Sequence, residues 1–204
     1  MTSRVVLGDL LPFAALQDVK KGLVTCARKF FWSLCYRTGT DEQTAQSQLS
    51  PYPVIQNRLD GEVGFHRNWT EYQDGFGDLQ GSFWAGLDII RALTQTGSIL
   101  RIEMVTVTGA ATYAQYSYFS VGDESSQYRL SIWGYSGNAR RWAGTMTGIP
   151  NYNCAERFHG GWWYNSCYQC HLNGPYVPLP NNRDGYMTWG RGRARIMKTR
   201  MLVK

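Results

Sequence analysis

The stretch NCAERFHGGWWYNSCYQCHLNGPY, residues 153–176, decides the reading of this chain. Cys154 and Cys167 flank a Gly160-Gly161-Trp162-Trp163 run, and Leu172-Asn173-Gly174 follows. Inside it, Cys167-Tyr168-Gln169-Cys170-His171 spells C-x-x-C-H, the string that attaches c-type haem with the histidine as axial ligand. Cys154, Cys167, Cys170 and His171 also make a chemically complete zinc set if the thiols are reduced. With Cys26 and Cys35 the protein has 5 cysteines, an odd count that allows a pair of disulfides and leaves one thiol over.

The rest of the sequence bounds the class. Its 204 residues suffice for one domain with a real core. A hydrophobic content of 43% with 18% charge excludes a disordered chain. No apolar run approaches the roughly 18–20 residues of a membrane-spanning helix, so no membrane span is expected. The 22 glycines, 8 tryptophans and 13 tyrosines describe a loop-rich, aromatic globule rather than a helical bundle. Net charge is +6, and much of it sits at the end of the sequence, where Arg183, Arg191, Arg193, Arg195, Lys198, Arg200 and Lys204 face only Asp184. Such a tail can attract polyanions. Arg193-Ala194-Arg195 reads instead as a solvated strand face, and no nucleic-acid partner is expected. No secretory leader is visible over residues 1–16.

Residues 1–50 read as an unassigned extension, closed by the polar linker TGTDEQTAQSQLS over 38–50. Residues 51–204 read as one domain, and from Pro53 the punctuation changes. VIQNR is a short strand before an Asp60-Gly61 turn. Short helices are predicted over 68–77 and 86–96, the second with Leu87, Ile90, Ala92 and Leu93 on one side and Gly97 as its stop. Strands are predicted over 99–107, 112–121, 128–133 and 193–203. Antiparallel strands with small helices on a face make an α+β fold. His66, His159 and His171 are the 3 histidines, and none lies in a G-x-S-x-G or H-E-x-x-H context, so no enzyme is expected. His66 reads as a surface side chain and His159 as a loop residue.

Four segments in order resemble the fibrinogen C-terminal globular domain, the module shared by ficolins, tachylectins, angiopoietins and tenascins. They are RNWTEYQDGFGDLQGSFWAGLD (67–88), TYAQYSYFSVGDESSQYRLSIWGYSG (112–137), the opening stretch, and WGRGRARIMKTRMLV (189–203). The resemblance covers about residues 54–204 and implies a twisted antiparallel sheet with short helices and a loop-rich ligand-binding subdomain. The family usually opens with Gly-Gly-Trp-Thr before Val-Ile-Gln, whereas Pro51-Tyr52-Pro53 precedes Val54-Ile55-Gln56 here. The first family disulfide is therefore not assigned.

By the same resemblance Cys154 pairs with Cys167. The closed loop of about 14 residues is worth on the order of 3 kcal/mol in the chain-entropy picture. That pairing and the β-rich frame disfavour haem and zinc. Cys170 is left as an unpaired thiol or an intermolecular link. The resemblance further implies a secreted recognition module, lectin-like toward acetylated carbohydrate and suited to innate immunity or cell adhesion. The alternatives are binding of an extracellular protein receptor or matrix ligand, and a truncated, non-functional variant. The candidate ligand-binding residues are Phe158, Trp162 and Tyr168, an aromatic wall for a sugar's apolar face. Phe158 stands where the family often has tyrosine, and Tyr168 where it often has histidine. Trp162 and Trp163 also suit a core. Oligomers would form through Cys170 or a missing N-terminal region. The family calcium loop is replaced by NARRWAGTMTGIPNY over 138–152, and Glu156 is the one carboxylate between Glu124 and Asp184. Calcium needs six to eight oxygen ligands with several carboxylates, so no metal or cofactor is expected. Asn68-Trp69-Thr70 is an N-glycosylation sequon whose Asn-Trp pair also belongs to the family pattern, leaving packing and glycosylation both open.

Overall fold

The last strand of the protein lies in the middle of the sheet. A computed structural model describes residues 52–139, 153–165, 167–176, 186–190 and 194–204. The extension over 1–50 with Cys26 and Cys35, and residues 140–152 of the loop expected to lack calcium, lie outside the described residues. The described strands are β1 (Val54–Arg58), β2 (Phe76–Gly77), β3 (Phe83–Trp84), β4 (Ser98–Thr106), β5 (Ala111–Val121), β6 (Leu130–Gly137), β7 (Thr188–Trp189) and β8 (Ala194–Val203). Helices α1 (Trp69–Asp74), α2 (Leu87–Thr94) and α3 (Cys154–Arg157) lie between them. The order across the sheet is β2-β3-β1-β8-β4-β5-β6, with β7 paired to β8 off that path. Every pairing among these strands is antiparallel, giving the α+β architecture the sequence pattern implies.

Alternation explains which face packs. Leu100, Ile102 and Met104 of β4 turn inward, as do Ala114 and Tyr116 of β5. Between Tyr116 and Phe119 the register slips against Leu100 and Ser98, so Phe119 and Val121 take over the inner face. One extra residue in a strand moves its side chains to the other face, and this bulge keeps both ends of β5 in the core. Outside, Tyr118 and Trp133 are register partners whose rings stack 3.7 Å apart. Ile55, Phe119, Leu100, Ile102 and Met201 are at most 1% exposed, each worth about 1.5–3 kcal/mol of burial.

Helix α1 starts on a capping box: the Glu71 amide donates to Asn68 Oδ1 at 2.9 Å, and the Asn68 amide donates to Glu71 Oε2 at 3.1 Å. Helix α2 corrects the sequence reading. It buries Leu87, Ile90 and Thr94, while Ala92 and Leu93 face solvent. The spacing i, i+3, i+7 chose a threonine over a leucine because both halves of the Thr94 hydroxyl are used. It donates to Ile90 O at 2.7 Å and accepts from the Val121 amide at 3.2 Å. Gly97 stands past the helix end with φ +87°, and a Cβ there would lie 2.5 Å from the Tyr118 ring.

Candidate functional site

The stretch from Asn153 is placed by local contacts first. The Asn153 side chain accepts from the Glu156 amide at 3.1 Å and starts α3. Cys154 at the head of α3 is bonded to Cys167, with their Cα atoms 5.6 Å apart. The next turn is squeezed between two neighbours. A Cβ on Gly160 would come within 2.1 Å of Asn173 O, and one on Gly161 within 2.6 Å of the Tyr72 ring. Only glycines allow that approach, and it is what presents the paired tryptophans.

Trp163 is held on three sides. Its ring meets Trp84 at 5.8 Å and Phe119 at 6.2 Å, and its Nε1 donates to Tyr128 O at 3.0 Å. Trp162 crosses Trp163 edge to face at 5.7 Å. The Trp162 indole N–H is buried without a hydrogen-bond partner among the described residues, and burial raises the Cys170 thiol pKa well above the ordinary range. Cys170 is free and fully buried, so the intermolecular link through it has no access to a partner in the folded state. Cys154 and Cys167 are spent on each other, which removes two ligands from the zinc alternative and one from the haem string.

Below this turn a buried polar network fixes the segment to β1. Gln56 Nε2 donates to Leu172 O at 3.2 Å and Asn173 Oδ1 at 2.9 Å. Asn173 Nδ2 donates to Gly161 O at 3.0 Å. Arg58 Nη1 donates to Leu172 O at 3.3 Å and Gly174 O at 2.8 Å, with its guanidinium 4.0 Å from the Phe65 ring centroid. Burial pulls the Arg58 pKa down to about 10. His171 exchanges backbone hydrogen bonds with Thr188 at 2.9 and 3.0 Å, and its Nε2 donates to Phe158 O at 3.1 Å. Burial lowers its pKa to about 4, so the ring is neutral near pH 7.

A cleft of about 700 Å³ opens beside the tryptophans. One wall runs from His66 to Trp69, another from Ser126 to Leu130, and a third takes in Asn153, Glu156 and Trp162. Aromatic surface from Trp69 and Trp162 meets charge of both signs from Arg67, Arg129 and Glu156. The second wall is strained: Gln127 and Tyr128 have φ of 54° and 50°, left-handed values that favour glycine. Surrounding bonds hold it there, since Tyr128 donates its hydroxyl to Asp88 Oδ1 at 2.6 Å and its amide to Asp123 O at 2.9 Å.

The candidate residues divide between two places. Phe158 and Tyr168 pack edge to face at 4.8 Å, and Tyr168 lies 5.3 Å from the His171 ring. Neither lines the cleft, which Trp162 does. Sequence reasoning missed the 66–69 and 126–130 walls. The Asn68-Trp69-Thr70 triplet was a visible signal within the first, whereas the left-handed pair at Gln127-Tyr128 carries none. Among the described residues no three His, Cys, Asp or Glu side chains are grouped to hold a metal.

Comparisons with known proteins agree with this architecture. Residues 44–204 match the family described as fibrinogen beta and gamma chains, C-terminal globular domain. The sequence is 36% identical over 151 residues to angiopoietin-4 of Homo sapiens, covering 68% of this chain and 30% of that relative. It therefore spans less than a third of that protein's length. The fibrinogen-like globe domain of human ANGPTL2 superposes with a TM-score of 0.69 at 32% identity, over 77% of this chain and 81% of that one. A lamprey fibrin D-dimer, solved with the peptide ligand Gly-His-Arg-Pro-amide, follows at a TM-score of 0.66 and 29% identity, over 74% and 60% of the two chains. With the sheet order, the Cys154–Cys167 bridge and the tryptophan turn in place, this chain belongs to the fibrinogen C-terminal globular domain family.

Proposed function

We infer that residues 52–204 form an extracellular protein-recognition module whose cleft takes a segment of a partner protein. The cleft itself carries this reading. Its volume suits a few side chains, its aromatic rings suit apolar groups, and its charges of both signs suit an ordered polar segment. A lamprey relative is known with a peptide ligand, which supports peptide-sized chemistry on this fold. The Cys154–Cys167 bridge fits an oxidising compartment. Among the described residues no helix is long and apolar enough to cross a membrane.

The acetylated-sugar reading has less behind it. Its stacking wall is split between the Phe158–Tyr168 pair and Trp162 in the cleft. We also propose that the module works without calcium, because residues 138–152 supply no carboxylate.

The experiment is selection of a displayed peptide library on the oxidised protein, beside an N-acetyl-sugar array. Selected peptides that compete for one site and weaken tenfold or more with Arg129→Ala are the expected result. Sugar binding with no peptide selected would overturn it.

A further inference from the structure

We propose that Asn68 is an N-glycan acceptor, and that its glycan stands at the mouth of the cleft and covers Trp69. The proposal rests on the extracellular reading above, since the modification requires the secretory pathway. Asn68-Trp69-Thr70 supplies the acceptor triplet. Many such triplets are disabled because folding buries the asparagine or engages its amide nitrogen. Neither happens here. Asn68, Trp69 and Thr70 are all exposed, Trp69 at 51%. Asn68 spends its oxygen and not its nitrogen, since Oδ1 accepts from the Glu71 amide at 2.9 Å. Among the described residues Nδ2 has no partner.

Chemistry and capping are therefore compatible. Transfer joins Nδ2 to the anomeric carbon of a lipid-linked oligosaccharide pyrophosphate. The carbon–oxygen bond to the pyrophosphate breaks, the lipid pyrophosphate leaves, and Nδ2 gives up one proton. The glycosylated side chain is a secondary amide that keeps its carbonyl oxygen, so the cap on α1 survives. Asn68 and Trp69 both line the cleft, which puts a sugar on Asn68 beside the Trp69 ring and leaves Trp162, Arg129 and Glu156 as the walls open to a partner segment.

The test uses the full-length protein secreted from a eukaryotic cell, as wild type and as Thr70→Ala. That variant destroys the triplet and leaves the Asn68 cap intact. Wild type should lose one glycan mass to peptide N-glycosidase, with the released site mapping to Asn68 as aspartate. Thr70→Ala should show no such change and the same thermal midpoint. Hydroxyl-radical footprinting should label Trp69 severalfold more in Thr70→Ala than in glycosylated wild type. Secreted wild type without a glycan at Asn68 would overturn the acceptor role. A glycan with equal Trp69 labelling would overturn the covering role. Neither readout depends on peptide binding, so failure of the recognition reading would show separately.

Discussion

Arg58 Nη1 donates to Gly174 O at 2.8 Å across 116 positions of sequence, and among the described residues no carboxylate forms an ion pair with it. A side chain 1% exposed thus keeps its charge on carbonyls and the face of Phe65. That bond, with the Leu172 contact, pins the turn after the tryptophans to β1. Arg58→Ala would take the donor from Gly174 O, leave Leu172 O to Gln56 alone, and open a cavity beside Phe65. It should cost about 3–5 kcal/mol, read as a lowered urea midpoint. Arg58→Lys restores one donor without the fork and should recover only part. Wild-type stability in Arg58→Ala would show that the network carries no weight.

That contact marks the boundary of what the sequence made legible. Strands with period-2 patterning were readable, because Leu100, Ile102 and Met104 alternate with polar neighbours. The bridge was readable only through family resemblance. Arg58 was not readable, since a lone arginine closing a short strand is ordinarily a surface residue. Thr94 displaced Leu93 for a related reason: a hydroxyl satisfied on both sides packs as well as a methyl group, and no local pattern reveals its partners. The cleft eluded reading because its walls come from residues 66–69, 126–130 and 153–164, which meet only in the fold.

The tryptophan turn should be intolerant of a single methyl group. Gly161→Ala presses a Cβ onto the Tyr72 ring and should lose about 1–3 kcal/mol. Gly160→Ala meets backbone at Asn173 O, which cannot rotate away, and should lose more. Gly64 is the control, with nothing within 4 Å of a built Cβ, and Gly64→Ala should stay within about 0.5 kcal/mol of wild type. Three thermal melts decide the matter, and equal midpoints for all three would refute the packing argument.

His171 should make the fold acid-sensitive in a defined window. Burial, the largest cause, drops its pKa from 6.5 to about 4, so the folded state keeps it neutral while the unfolded state takes up a proton. The unfolded state then binds more protons between those values, and stability falls as pH falls. The loss across about pH 6.5 to 4 is about 3 kcal/mol. His171→Gln can still donate to Phe158 O but does not titrate. Subtracting its urea midpoints from wild type at pH 7 and pH 4 should isolate this loss. Parallel pH profiles would contradict it.

Calcium binding should be absent, for a reason of charge rather than shape. Residues 138–152 bring Arg140 and Arg141 and no Asp or Glu, so a divalent ion would face desolvation with no carboxylates to offset it. Terbium luminescence and titration calorimetry at millimolar calcium should show no saturable one-to-one site. The thermal midpoint should not move on chelation.

Cysteine chemistry offers the sharpest check on the tryptophan turn, because its three thiol positions should behave in three steps. In native oxidised protein, alkylation mapped by mass spectrometry should leave Cys154, Cys167 and Cys170 unmodified. The first two are bonded together, and Cys170 is fully buried with its pKa raised by burial. Unfolding without reductant should expose Cys170 alone. Reductant should then release the pair and lower stability by about 3 kcal/mol, the chain-entropy value for so short a loop. Rapid labelling of Cys170 before unfolding would mean that the core around it opens in the native state, and the burial assigned to Cys170 would have to be withdrawn.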